Sequence, residues 1–374
     1  MSQQHDVKDD LVEAAIAKIA PYEPGKPIEE LERELGHAWG EGGAIKLASN
    51  ENPYGPSPLG IAAAQKALAS ANLYPDGGSF ALRTKLAARH GVDTAQILVG
   101  AGSNEIIDLL VQTFCAEGDE VVAPQYSFIA YKLAAEKNRR PFREAPTAPS
   151  LQYDVDAILG AVGPRTKILF FANPNNPTGA YLQRGEFERL VAELPPRVLL
   201  VADEAYFEFA SASDYPDARQ YLKRRARMAT LRTFSKIYGL AGLRVGYMIA
   251  SAELNDFVNR IRLPFNVAAT AQAAALAALD DEAHVQRARE GNGAELPRLS
   301  EALRKLGLEV YPSQTNFLLA GFGARDGRQL YQALLHKGVI VRPMNGYGLP
   351  HHLRITVGTR EENVRLVRAI EEVL

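Results

Sequence analysis

At 374 residues the chain exceeds the roughly 100–200 residues of one compact core, so two lobes are expected. Its 47% apolar and 23% charged residues suit a soluble globular protein, and a formal net charge of −2 leaves no footprint for nucleic acid. The single cysteine, Cys115, excludes an internal disulfide framework and fits a reducing cytoplasm.

The first ten residues, MSQQHDVKDD, are polar and acidic, which argues against a secretory signal. Leu11, Ala14, Ala15 and Ile19 have helical spacing that Pro21 ends. From about Ser57 helical and strand patterns alternate. Leu59 to Ala71 and Phe80 to His90 read as helices, Gln96 to Val99 as a strand, and Ile106 to Ala116 as a helix. Short apolar runs recur as EVVA (120–123), KILFFA (167–172), RVLLVA (197–202), MATLRTF (228–234) and VGYMIA (245–250), with a helical pattern at Gly185 to Leu194. The stretch from Arg140 to Pro149 reads as a loop. Such strands separated by helices predict a mostly parallel sheet covered on both faces, an α/β fold.

After Pro264 the pattern changes. An Ala-rich segment from Ala268 to Leu279, interrupted by Thr270 and Gln272, is too short for the ~20 residues that span a bilayer and reads as a buried helix. An arginine-rich amphipathic stretch runs on to Leu306. Strand candidates follow at 308–311, 316–320, 339–343 and 353–358, with helices near 326–336 and 360–374. The expected division is an N-terminal arm over 1–45, a large domain over 46–265, and a smaller α+β domain over 266–374.

Four segments lie where an apolar strand meets polar residues, the edge at which open parallel sheets bind ligands. Gly100-Ala101-Gly102-Ser103-Asn104-Glu105 can present backbone N–H groups at a helix start to an anion, or serve as a plain turn with a cap. Glu105 stands where the third glycine of a dinucleotide fingerprint belongs, which counts against that rival. Asn173-Pro174-Asn175-Asn176-Pro177-Thr178-Gly179 forces a rigid loop whose asparagines can meet a ligand. Asp203 closes a buried strand ahead of Glu204-Ala205-Tyr206, either to cap the next turn or to face a cation. Lys236 follows Thr233-Phe234-Ser235, with Arg244 eight residues on; a lysine kept from water among cations becomes a nucleophile for carbonyl groups. A phosphate cup, a nucleophilic lysine and an acid for a ring nitrogen are what pyridoxal phosphate asks of a protein.

The ordered set KLASNENPYGPSP (46–58), YPDGG (74–78), NPNNPTG, DEAY, FSKIYGLAGLRVGY and GYGLPHHLRITVG resembles the fold-type I, class II aminotransferases over nearly the whole chain. Within that family the likeness is to members that take histidinol phosphate as amino donor. The resemblance implies pyridoxal 5′-phosphate held covalently by Lys236, with Asp203 paired to the ring nitrogen and Asn176 and Tyr206 on the ring 3′-oxygen. It places Gly102, Ser103, Ser235 and Arg244 around the cofactor phosphate and stacks Tyr126, of PQYSF, on the ring. Tyr54 would reach the phosphate of the cofactor in a neighbouring subunit, implying a homodimer with shared active sites. Arg354, Arg342 and Tyr22 would take the acidic end of the substrate.

Lys236, Asp203 and Tyr206 would thus carry the chemistry, with 2-oxoglutarate as amino acceptor and glutamate as product. His351 and His352 adjoin in a turn with no further ligands nearby, so no metal site is expected, and neither is a membrane or nucleic-acid partner. Phenylalanine or tyrosine as donor on the same scaffold, and decarboxylation of a threonine phosphate, are the competing activities. One departure stands in the phosphate loop: Asn104 occupies a position where many relatives carry aspartate.

Overall fold

The computed structural model describes residues 12–21, 25–36, 39 and 43–374. In chain order the described elements open with helices α1 (Ala14–Ala17) and α2 (Ile28–Leu35) and strand β1 (Ile45–Lys46). Then come α3 (Pro58–Ala67), α4 (Phe80–His90), β2 (Ile97–Gly100), α5 (Ser103–Phe114), β3 (Glu120–Pro124), α6 (Ala130–Lys137), β4 (Phe142–Ala145) and α7 (Val155–Ala161). The middle of the chain supplies β5 (Thr166–Ala172), α8 (Arg184–Glu193), β6 (Leu199–Asp203), β7 (Met228–Thr233), β8 (Gly246–Ala250) and α9 (Ala252–Ile261). The remainder is α10 (Ala269–Ala278), α11 (Glu282–Lys305), β9 (Glu309–Val310), β10 (Phe317–Gly321), α12 (Gly327–His336), β11 (Val339–Ile340), β12 (Arg342–Pro343), β13 (His352–Thr356) and α13 (Arg360–Val373).

Seven strands form the main sheet in the order β2-β8-β7-β6-β5-β3-β4. β8 runs antiparallel to both its neighbours, and the run from β7 to β4 is parallel. The expected α/β architecture is therefore present, with one reversed strand. β3, β5 and β6 read as nearly unbroken apolar runs because both faces are covered. Phe170 and Phe171, adjacent on β5, are both fully buried and serve opposite faces of the sheet. Burial of side chains this size contributes roughly 1.5–3 kcal/mol each.

The stretch from Arg140 to Pro149, expected as a loop, contains edge strand β4, paired among the described residues only with β3. Arg143 and Glu144 are exposed on it, the charged signature of an edge strand, and they hid the strand pattern. The change of pattern after Pro264 does not mark the parting of the two hydrophobic cores. Ala271, Ala274, Ala275 and Ala278 of α10 pack with Leu82, Leu86 and Ala87 of α4 beside the main sheet. Leu299 and Leu303, in the second half of α11, instead join the core around β10 and β13. That second core also holds Ile45 and Leu47. Its four-stranded sheet has the order β12-β13-β10-β9, and β1 pairs with β11 separately.

Candidate active site

β2, β5, β6 and β7 share one direction, so their carboxyl ends open at one edge of the sheet. The loops leaving those ends line a cleft of about 240 Å³, closed on its far side by β12 and β13 of the smaller sheet. Lys236, Asp203, Asn176, Tyr206, Ser103, Ser235, Arg244, Arg342 and Arg354 all line it.

Asp203 ends β6 and is buried, with Oδ2 accepting from the Tyr131 hydroxyl at 2.7 Å and Oδ1 from the Ala205 N–H at 3.2 Å. It therefore forms a local turn and also faces the cleft. Burial pushes its carboxyl up to about 6, and the Tyr131 hydrogen bond opposes that rise. Glu204, one residue on, engages a different network: its carboxylate accepts from Arg232 Nη2 at 2.8 Å and from the Ala218 N–H at 2.8 Å.

Lys236 follows the end of β7, and its Nζ donates to the Ser49 carbonyl at 3.2 Å. Withdrawal from water, reinforced by the positive charge of Arg354, pulls its amine down to about 7. Such an amine is substantially neutral, and so nucleophilic, near neutral pH.

Also at the cleft, α5 begins at Ser103 with no side-chain cap, so its first N–H groups keep their capacity for an anion. Gly102 precedes it at φ 80° and ψ 164°, a conformation essentially reserved for glycine. A Cβ there would come within 2.6 Å of Arg244 Nη2. The missing side chain is thus what lets the guanidinium approach the helix start. Arg244 Nη1 lies 3.5 Å from Ser235 Oγ, which completes a cup of backbone N–H groups, two hydroxyls and a cation. This donor set matches a phosphate monoester, and the amine of Lys236 and carboxylate of Asp203 match an aldehyde and a basic ring nitrogen. The residues present therefore fit pyridoxal phosphate.

Arg354, on β13, donates to Asn176 Oδ1 and to the Ala48 carbonyl, each at 2.6 Å. Arg342 lies directly across from it in the β12–β13 register. Tyr206 is buried, and its hydroxyl accepts from Asn50 Nδ2 at 2.8 Å; burial pushes the phenol up to about 12.

Two expected residues, Tyr126 and Tyr54, stand apart from this cleft. Tyr126 does not line it: its ring packs against Leu151, Leu319, Met344 and Leu349, while Phe128 of the same segment faces the cleft. Tyr54 also lies outside the cleft lining. Its ring sits against Gly291 of α11, where any Cβ would collide with the phenol, and its carbonyl accepts from Arg287 at 3.0 Å. Tyr22 falls outside the described residues. Conversely, Phe128, Tyr131, Ser49 and Asn50 belong to the cleft and were not singled out from the sequence. Tyr131 and Asn50 sit within segments that carried the resemblance or adjoin them, but an apolar position and a turn asparagine give no sign of their partners.

A family model for aminotransferase class I and II matches residues 43–370. A histidinol-phosphate aminotransferase from Anaeromyxobacter sp. (strain Fw109-5) is 48% identical over 97% of this chain and 99% of that protein. Among solved structures, histidinol-phosphate aminotransferase from Sinorhizobium meliloti, in complex with pyridoxal-5′-phosphate, superposes with a TM-score of 0.84 at 26% identity, covering 97% of each chain. L-threonine-O-3-phosphate decarboxylase from Porphyromonas gingivalis gives 0.78 at 25% identity over 88% of this chain and 99% of that one. With the lysine, carboxylate and anion cup assembled at the sheet edge and the match spanning both lobes, the chain belongs to the aminotransferase class I and II family of pyridoxal-phosphate-dependent transaminases.

Proposed function

We propose that this enzyme transfers the amino group of histidinol phosphate to 2-oxoglutarate, giving imidazole-acetol phosphate and glutamate, a step of histidine biosynthesis. The observation that carries the reading is the pair Arg342 and Arg354, neighbours across β12 and β13 on the wall facing Lys236. Two adjacent guanidiniums suit a doubly charged phosphate, and a bidentate guanidinium also accepts the distal carboxylate of 2-oxoglutarate. The 48% identical relative of that name supports the same donor.

The bound cofactor supplies an electron sink that makes the Cα–H bond of an attached amine labile. Lys236 would be the residue that holds the cofactor, and its Nζ would also be the base that takes and carries the Cα proton of the bound substrate. Asp203 keeps a proton on the ring nitrogen, with Tyr131 fixing its carboxylate. Asn176 and Tyr206 hold the 3′-oxygen. The cup of Gly102, Ser103, Ser235 and Arg244 anchors the phosphate, and Phe128 supplies the aromatic wall beside the ring. Arg354 and Arg342 orient the anionic end of the substrate, a role assigned to Tyr22 as well.

Homodimer formation in the cytoplasm, with Tyr54 reaching the partner's cofactor phosphate, completes the reading. Its support is an apolar surface beside the phosphate loop: Tyr74 and Phe265 stack at 4.8 Å yet are 83% and 46% exposed. Leu73 and Leu263 next to them are also exposed. Patches of this kind mark protein contacts.

Specificity constants for histidinol phosphate, phenylalanine and tyrosine, measured side by side with 2-oxoglutarate, test the assignment. Preference for histidinol phosphate is expected. Preference for the aromatic donors would replace the substrate, and carbon dioxide release without 2-oxoglutarate would replace the reaction.

A further inference from the structure

Tyr206 shares a chain of hydrogen bonds whose direction can be read from one end. The backbone N–H of Asn50 can only donate, and it donates to Thr356 Oγ1 at 2.9 Å. Thr356 Oγ1 in turn donates to Asn50 Oδ1 at 3.2 Å. That fixes the amide of Asn50 with Nδ2 toward Tyr206, where it donates to the phenol oxygen at 2.8 Å. With the amide reversed, the Thr356 hydroxyl proton would have no acceptor among the described residues, a costly state for a buried group. Asn50 is held in this position by its left-handed backbone, φ 55°, and by Asn316 Nδ2, which donates to its carbonyl at 3.1 Å.

A tyrosine whose oxygen already accepts this bond has its own proton free to point elsewhere. We infer that Asn50 and Thr356 are positioning residues that make Tyr206 a hydrogen-bond donor into the cleft, directed at an anionic ring oxygen of the cofactor. Thr356 lies on β13, two residues from Arg354, whereas Tyr206 follows β6. The relay therefore ties the strand carrying the substrate arginine to the tyrosine that faces the cofactor. The high affinity of the buried phenol for its proton supports the donor role.

This inference rests on the proposed contact between Tyr206 and the 3′-oxygen, and one binding experiment separates the two. Dissociation constants of pyridoxal phosphate and of its analogue lacking the 3-oxygen are measured by absorbance on wild type, Thr356→Val and Thr356→Ser. Valine keeps the shape of threonine without the hydroxyl, and serine keeps the hydroxyl. Wild type should prefer pyridoxal phosphate. Thr356→Val should weaken its binding by about tenfold, leave the analogue unchanged, and be reversed in Thr356→Ser. Equal weakening of both ligands, or no weakening, overturns the relay while leaving the 3′-oxygen contact standing. Equal affinity of wild type for both ligands overturns the contact and the relay together.

Discussion

Lys236 illustrates how much a side chain owes to its neighbours. Its sequence context gives a strand end and flanking hydroxyls, but the drop of its amine to about 7 comes from burial and the nearby charge of Arg354. Arg354 is 118 positions away in the chain and belongs to the other sheet. Because the lowered value means the amine loses its proton above about pH 7, the rate at which apo-protein takes up pyridoxal phosphate should rise through neutral pH and then level off. An uptake rate that keeps climbing toward pH 10 would mark an ordinary exposed lysine. Lys236→Ala should abolish both uptake as a covalent species and turnover. Asp203 and Arg244 were legible from the sequence as strand-end and loop charges. Tyr131 was not, since a tyrosine on an apolar helix face reveals its acceptor only when β6 is laid beside it.

At the scale of elements, the anion cup depends on how α5 starts. Gly102 occupies a conformation that side chains avoid, and Arg244 adopts φ 55° on the opposing loop to bring its guanidinium over it. Gly102→Ala should cost about 1–3 kcal/mol through backbone strain and displace Arg244 as well. The expected outcome is cofactor affinity reduced at least tenfold with the far-ultraviolet circular dichroism of the protein retained; unchanged affinity would remove Arg244 and the helix start from the phosphate site. The loop Asn173–Gly179 was legible as a rigid turn from its prolines and glycine. Its consequence was not: Asn176 meets Arg354 of β13, which no local rule anticipates. The edge strand β4 was missed for a related reason. Charged residues are favoured at a sheet edge, so the strand lacks the apolar run that announces β5 and β6.

For the whole molecule, the exposed stack of Tyr74 on Phe265 adjoins the cup through a short series of contacts. Arg262 bonds Asn266 and the Gly77 carbonyl, and Asn266 Nδ2 donates to Glu105 Oε2 at 2.6 Å, at the phosphate loop. If this surface pairs two chains, covering it should also brace the cofactor site. Sedimentation of Tyr74→Glu combined with Phe265→Glu should show a shift from dimer toward monomer and weaker cofactor retention. A dimer of undiminished strength would move the interface elsewhere. The charges sit on an exposed surface, so the fold of each chain should survive.

The sequence by itself determined the alternation of strands and helices, the sheet edge at which the cleft opens, and the identity of Lys236, Asp203, Asn176 and Arg244 as groups that line it. Those features are local: apolar runs, glycines, prolines and polar residues at strand ends are each read within a few positions. Tertiary structure decided the reversal of β8, the allegiance of α10 to the main sheet, and the choice of Phe128 over Tyr126 as the ring facing the cleft. It also decided the polarity of the bonds linking Thr356, Asn50 and Tyr206. The reason is common to all four: strand direction, shared burial and hydrogen-bond partnership are relations between residues far apart in the chain, and they exist only once the chain is folded.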